Sequence, residues 1–350
     1  MIPARAAGGR PVEGAAMRIL LYEYYTAGAE PADAVEAAQV AVHRALAAAL
    51  AVDLGRLGGH EVRLASAYAP NALADDLAWA EAALLLAPET DDRLVELAER
   101  FEAAGARLLG PTAAAIRLVS DRMGLTLALG EAGLPAPRAW TIDFERADQA
   151  ERLTRRLGFP VVVKPLAGAG GRGARLVAAP DELADAVAHV RAATAWDSFL
   201  LQEYVPGLAA GAGVLVAGGQ ALPLGLWGAL LSAPPGLVVE RCATPLDHPS
   251  VAAALELARR AALAVPGLQG YVEVDLVLAE RGPVLLEVAA RPTLGTLALR
   301  RSRRLNLAAL ILDACLAERL PDARFWPPAL PALVDLANPG AALAPAMPGA

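Results

Sequence analysis

Cysteine and histidine are scarce in this chain. Of 350 residues two are cysteine, Cys242 and Cys315, and four are histidine, His43, His60, His189 and His248. The cysteines are not spaced as metal ligands or as a redox pair, which fits structural roles in a reducing compartment and predicts a cytoplasmic protein. The scattered histidines form no zinc motif, and neither a Ser–His nor a Cys–His constellation is visible. Basic charge is also in deficit. The formal net charge is -7, which disfavours a general nucleic-acid binder but leaves room for local basic pockets that hold phosphate. No transmembrane segment is predicted, because the apolar run Ala45 to Val52 is cut short by Asp53 and Arg56. Residues 1–16 lack the apolar core of a signal peptide and read as a disordered extension. The alanine-rich, lysine-poor composition reflects a GC-rich genome more than a function.

What is present is apolar and long. With 56% hydrophobic residues, 350 residues exceed one ordinary core and predict two or three compact units. The chain is organised around Phe159 to Gly173, Phe-Pro-Val-Val-Val-Lys-Pro-Leu-Ala-Gly-Ala-Gly-Gly-Arg-Gly. Three valines predict a buried strand that Lys164 ends and Pro165 stops. Gly168, Gly170, Gly171 and Gly173 then surround one basic residue, Arg172. Glycines let backbone N–H groups turn towards an anion, and a lysine adds a point charge for phosphate. The lysine precedes the glycines, so this is no Walker A loop, and the glycines lead into a strand, so it is no dinucleotide fingerprint. A hairpin turn and a lid over phosphates are both compatible with it.

Taken in order, strands at Met17 to Tyr24, His60 to Ala65, Ala82 to Leu86 and Arg107 to Leu109 alternate with helices over Ala32 to Leu57, around Leu73 to Ala80, and over Asp91 to Ala104. That alternation predicts a small parallel sheet with ligands beyond its strand C-termini, near Glu23 to Gly28 and Pro88-Glu89. Ser120 to Gly133 reads as one capped helix. The strands Ala139 to Ile142, the valine strand, Ala174 to Ala178 and Phe199 to Val205, with helices over Glu145 to Leu157 and Asp181 to Val190, predict an α+β unit. A hairpin follows from Ala212 to Trp227, then a loop over 228–248, a helix from Ser250 to Val265, a second hairpin from Gly270 to Ala289, and a closing helix from Leu305 to Ala317. From Pro321 the chain reads as a poorly ordered tail with one docking piece, Pro331 to Leu336.

The second hairpin carries Asp275 and Glu287 inside apolar strands. A buried lone carboxylate is costly, so each acid needs a cation or an arginine. Facing strands bring the two together as oxygen ligands for Mg²⁺ on nucleotide phosphates, and Arg291 either reaches a phosphate or pairs with Glu287. Glu273 shares the face of Asp275 by parity, so pattern alone does not choose between them.

The order strand–Lys164–glycine loop, then Leu-Gln-Glu-Tyr-Val-Pro-Gly, then the Asp275 and Glu287 hairpin ending in Arg-Pro-Thr, resembles the ATP-grasp superfamily over roughly residues 17–318. The resemblance implies a mixed fold, α/β and α+β, with a parallel-sheet pre-ATP-grasp domain at 17–111, a lid subdomain at 112–198, a metal-bearing subdomain at 199–320 and a tail at 321–350. It implies ATP and Mg²⁺ as cofactors. Lys164 would contact the α- and β-phosphates, and the glycine loop with Arg172 would cover the phosphates. In the Gln202-Glu203-Tyr204-Val205 segment, the Glu203 carbonyl and the Val205 N–H would bond adenine. Asp275 and Glu287 would hold Mg²⁺, and Arg291 would steady the transferring phosphoryl group. Arg122 stands where the family usually has lysine. The chain departs from the family's pattern at Ala289, where an asparagine is common, and after Gly207, where no ribose-binding acid follows.

The implied chemistry is phosphorylation of a small-molecule carboxylate and attack by an amine on the acyl phosphate. Met-Arg-Ile-Leu-Leu-Tyr-Glu-Tyr, Gly-Tyr-Val-Glu-Val-Asp-Leu-Val-Leu, and Pro245 with His248-Pro249 are similar to the tyramine–L-glutamate ligase branch, which implies cofactor biosynthesis. The run Arg300-Arg301-Ser302-Arg303-Arg304 would then supply a guanidinium to the acid, or simply form a solvated helix start. A carboxylating or purine-type ligase and a nucleotide-binding pseudoenzyme are the competing readings. No membrane partner is expected, and a homodimer is compatible with the sequence.

Overall fold

Strand β1 (Arg18–Glu23) is buried along five of its six residues, as a strand flanked on both sides must be. In the computed structural model, which describes residues 16–31, 34–65, 70–168 and 170–340, it lies inside a four-stranded parallel sheet. The extension read at 1–16 lies outside the described residues apart from its last residue. The sheet is completed by α1 (Ala34–Gly55), β2 (Glu61–Leu64), α2 (Pro70–Trp79), β3 (Ala82–Leu86), α3 (Arg93–Ala103) and β4 (Arg107–Leu108), in strand order β2-β1-β3-β4. By length and composition α1 is apolar enough to cross a membrane over Glu36–Gly55, which the sequence reading did not anticipate. Here Val42, Leu46, Leu50 and Leu54 are buried, the pattern of a core helix.

The helix expected over Ser120 to Gly133 is α5 (Arg122–Glu131), and a further helix that the sequence reading did not anticipate, α4 (Ala113–Ser120), precedes it. Asp121 separates them: its extended backbone ends α4, and its carboxylate accepts from the Met123 and Gly124 N–H groups to cap α5. An antiparallel sheet follows, built from β5 (Ala139–Asp143), β6 (Val161–Pro165), β7 (Arg175–Val177) and β8 (Ser198–Glu203) in order β5-β8-β6-β7, with α6 (Asp148–Leu157) and α7 (Leu183–Ala192) against it. Pro165 closes β6 from inside the strand, not beyond it. This layer has its own core, with Val161, Val163, Val177, Phe199 and Leu201 buried together.

The remaining elements are β9 (Leu208–Ala217), β10 (Gln220–Leu231), β11 (Val239–Thr244), α8 (Val251–Ala264), β12 (Gly270–Ala279), β13 (Gly282–Ala289), α9 (Leu294–Arg303), α10 (Leu307–Leu316) and β14 (Ala332–Asp335). They form a six-stranded sheet in order β13-β12-β9-β10-β11-β14. Two expectations change here. About half of the stretch 228–248 is strand, because β10 runs on to Leu231 and pairs with β11 (Val239–Thr244). The tail docks as β14 on β11, Arg241 opposite Asp335, so its apolar piece completes a sheet edge. Trp227 sits between this sheet and α9. A Cβ on Gly295 would lie 2.1 Å from its ring, so only glycine fits there.

Buried residues of the parallel sheet and its helix α3, such as Leu20 and Phe101, and of the six-stranded sheet, such as Val272 and Leu285, belong to one apolar cluster. Arg300 fastens the same two layers. Its guanidinium grips Asp53 of α1 at 2.8 and 2.6 Å, and Asp53 also accepts from the Leu307 N–H at 2.9 Å. The arginine run therefore ends helix α9, not starts one, and Arg300 is committed to Asp53.

Candidate active site

Four elements converge at Glu287: β13, β12, β6 and α5. Asp275 of β12 lies opposite Glu287 in the antiparallel ladder, as period-two alternation on facing strands predicts. Lys164, at the end of β6, reaches Glu287 Oε1 at 2.8 Å, and Arg122 Nε of α5 reaches the same oxygen at 2.7 Å. Among the described residues Glu287 Oε2 takes no such partner. Arg122 also donates to the Pro165 carbonyl at 2.7 Å and to the Gly168 carbonyl at 2.9 Å. One side chain thus ties the helix start, the strand end and the glycine loop to the carboxylate.

The charges follow from this packing. Burial opposes ionisation of Glu287, but Arg122 and Lys164 outweigh it and hold the carboxyl at about 2. Asp275 has no such cation in contact and accepts no hydrogen bond among the described residues. Burial, then Glu287, Glu273 and Glu89, push it up to about 8. Burial likewise lowers Lys164 from its ordinary value, with Glu287 opposing the shift. An acid that is half-buried, unpaired and beside a second acid is one that a divalent cation would relieve.

Parity left Glu273 and Asp275 equivalent, and the tertiary structure separates them. Glu273 accepts from the Thr293 N–H at 2.9 Å, from the Tyr271 hydroxyl at 3.1 Å, and from the Thr293 and Thr296 hydroxyls. It anchors the start of α9 and has little capacity left for a ligand. No group of three or more His, Cys, Asp or Glu side chains able to hold a metal occurs among the described residues. Two carboxylates fit Mg²⁺ nonetheless, since that ion keeps several waters and takes the rest of its shell from phosphate oxygens.

Arg291 does not pair with Glu287. It follows β13, is buried, and lies 3.6 Å from Glu89 beyond the C-terminus of β3, while the Ala290 N–H donates to the same carboxylate at 3.1 Å. Its Nε is buried without a partner. The glycine loop lies over this region. Gly171 has φ +78, and a Cβ there would come 2.3 Å from the Leu237 carbonyl; a Cβ on Gly170 would meet Gln39 of α1 at 2.6 Å. Gly173 is packed as tightly, against Pro165. Arg172 lines a small cavity together with Tyr25, Glu36, Gln39, His43 and Arg291.

The expected adenine segment lies at the end of β8. Gln202 is buried in the sheet, and Glu203 is the last residue of the strand. The Glu203 side chain is held by Arg138 at 2.9 Å, which leaves only its main chain for a ligand. Tyr204 and Val205 follow outside the ladder, half-buried, and the Val205 N–H makes no hydrogen bond among the described residues. The structure thus brings Arg122, Lys164, Asp275 and Glu287 together, sets Arg172 with Arg291, and places 202–205 at the far end of the strand beside β6. Sequence reasoning missed His43 and Glu36, which line the cavity, because a helix pattern does not reveal what faces it. It also passed over a signal: Lys164 is the sole lysine of the chain.

Comparison with known proteins agrees with this geometry. A family model described as an ATP-grasp domain matches residues 119–295, and one described as a pre ATP-grasp 3 domain matches residues 40–116. A biotin carboxylase from Haemophilus influenzae is 33% identical over 98 residues, 28% of this chain and 22% of that protein. A carbamoyl phosphate synthase large chain from Rubrobacter xylanophilus is 42% identical over 89 residues, 25% of this chain and 8% of that protein. These matches span less than a quarter of either relative. Among solved structures, an ATP-grasp superfamily protein from Archaeoglobus fulgidus superposes with a TM-score of 0.69 at 18% identity, covering 91% of this chain and 92% of that one. An L-amino acid ligase from Bacillus licheniformis superposes at 0.64 with 15% identity, covering 87% and 75%. With the matched domain spanning half of the sequence and the fold shared along most of it, this chain belongs to the ATP-grasp family.

Proposed function

We propose that the protein is an ATP-dependent carboxylate–amine ligase, in which ATP phosphorylates a small carboxylate and an amine displaces the phosphate to give an amide. The observation that carries this reading is the pairing of Asp275 with Glu287 across one ladder, with Lys164 and Arg122 on the Glu287 oxygen. Asp275 and Glu287 would hold Mg²⁺, which when bound offsets the charge of the phosphate oxygens. Lys164 and the N–H groups around Gly168, Gly170, Gly171 and Gly173 bind phosphate oxygens, and the main chain of Glu203 and Val205 takes the adenine edge. Arg172 and Arg291 face one cavity and supply positive charge where the transferring phosphoryl group meets the acid. Arg122 holds these pieces in register. The acid is glutamate and the amine tyramine-like in the reading that the sequence resemblance favours. The protein works in the cytoplasm on small molecules.

The test is ADP release from Mg-ATP over a matrix of acids and amines that includes glutamate with tyramine, run beside Lys164→Ala. ADP that requires both an acid and an amine and vanishes in the variant supports the ligase. ADP that requires bicarbonate in place of an amine moves the protein to a carboxylating reaction. Thermal stabilisation by Mg-ATP without turnover for any pair would leave a nucleotide-binding protein and overturn the ligase.

A further inference from the structure

The cavity beside Arg172 and Arg291 holds a pair of groups that phosphoryl transfer does not use. His43 of α1 is buried in its wall, and its Nδ1 lies 3.4 Å from Glu23 Oε1 at the end of β1. Glu23 is fully buried and fixed by the main chain, accepting from the Tyr25 N–H at 3.1 Å and from the Thr26 N–H at 2.6 Å. The Tyr25 ring meets the imidazole edge-on, with centroids 5.3 Å apart, and its hydroxyl donates to Glu36 at 2.6 Å. Arg93 donates to the same Glu36 oxygen. Nδ1 faces Glu23 at ion-pair distance without a formed hydrogen bond, and Nε2 is the ring nitrogen left for a ligand. The geometry is that of an imidazole set against a carboxylate, in a cavity it shares with Arg291, whose Nε is likewise without a partner.

We propose that His43 is the base that takes the proton from the amine substrate, with Glu23 as its positioning residue. This rests on the ligase reading above. An alkyl amine arrives as an ammonium ion and has no lone pair to attack with. One proton passes from the ammonium nitrogen to His43 Nε2, and the Glu23 carboxylate stabilises the imidazolium. The freed amine attacks the acyl carbon. The C–N bond forms, the C–O bond to phosphate breaks, and the second amine proton leaves with the phosphate. His43 then returns its proton to solvent. Burial keeps the ring neutral beforehand by lowering its affinity for protons, so its lone pair is available. The cavity is about 10 Å³, room for about one water.

The experiment compares two nucleophiles in His43→Gln and Glu23→Gln. Hydroxylamine is unprotonated at neutral pH and needs no base; tyramine is an ammonium ion and does. With the acid that supports ADP release in the wild type, His43→Gln is expected to slow amide formation with tyramine at pH 7 by about 10²-fold or more. Hydroxamate formation should fall far less, and the tyramine defect should shrink as pH rises. Glu23→Gln should show the same selectivity more weakly, and it carries the test should His43→Gln fail to fold. Stabilisation by Mg-ATP reports folding of each variant. Equal losses with both nucleophiles, or no loss with tyramine, would overturn the role of His43. A wild type that forms neither product with any acid removes the ligase reading, and this inference with it.

Discussion

Arg300 and Asp53 meet across 247 residues of sequence, through two hydrogen bonds of 2.8 and 2.6 Å between α9 and α1. Asp53 is fully buried, so removing its partner strands a charge in the interior. Arg300→Ala is expected to cost about 3–5 kcal/mol, the range for breaking a buried pair. Denaturant unfolding checks this. Loss of substrate affinity with stability unchanged would instead place Arg300 on the acid substrate.

The sole lysine turns the proposed phosphate site into a chemically addressable point. An amine-selective acylating reagent should label only Lys164 and the chain's α-amino group. Burial lowers the Lys164 pKa, so a larger fraction of its amine is neutral and nucleophilic than for an ordinary lysine. Mg-ATP should protect Lys164 and leave the α-amino group reactive. Peptide mass mapping reads both sites in one sample, and unprotected labelling of Lys164 at saturating Mg-ATP would remove it from the nucleotide site.

Arg122→Lys tests whether charge or shape matters at the start of α5. The guanidinium reaches Glu287, the Pro165 carbonyl and the Gly168 carbonyl at once, and a single ammonium cannot span all three. Losing two buried charge-assisted bonds should cost about 2–3 kcal/mol of stability. Because one of those bonds fixes the glycine loop, Mg-ATP affinity should fall by about tenfold, equivalent to about 1.4 kcal/mol. Thermal unfolding and calorimetric titration measure the two effects.

Stability should depend on pH through the buried dyad. Burial, reinforced by the positive charge of Arg291, holds His43 below the ordinary histidine value of 6.5 against Glu23 of β1 and Glu36 of α1. Below about pH 6.5 the unfolded chain therefore binds a proton that the folded chain refuses, and stability falls as pH drops. Glu23 acts in the same sense at lower pH. Burial raises its pKa, but the neighbouring His43 and the hydrogen bonds from the Tyr25 and Thr26 N–H groups outweigh it and hold it below 4.5, so its contribution is full above about pH 4.5 and is lost as pH falls beneath that value. The difference in Tm between wild type and His43→Gln should thus change between about pH 6.5 and 4.5 and be constant above. A constant difference throughout that window would contradict the assignment of a buried neutral imidazole.

Much of the site was legible along the chain. The valine strand, Lys164 and the glycines are local chemistry, and two acids in apolar strands stand out against their neighbours. The segment 202–205, which the resemblance implies for adenine, lies at the end of β8. Glu273 was not separable from Asp275, because period two gives both the same face and only the hydroxyls of Tyr271, Thr293 and Thr296 distinguish them. The partner of Arg291 was misjudged for a related reason: strand parity offered Glu287, while the chain leaves β13 at Ala289 and delivers Arg291 to Glu89. The loop assigned to 228–248 failed because glycine and proline punctuate it, yet β11 gains a neighbour on each side, β10 and β14.

The sequence by itself determined which residue types could handle phosphate and metal, since a lysine before glycines and paired acids on a hairpin carry their chemistry wherever the chain folds. It also determined the local elements that present them, through periodicity and caps such as Asp121. Only the tertiary structure decided which acid is spent on α9 and which is left for a cation, that Arg300 belongs to Asp53, and that His43 faces Glu23 beside Arg291. Those are contacts between elements far apart in sequence. Their geometry follows from how the layers pack, which no local pattern encodes.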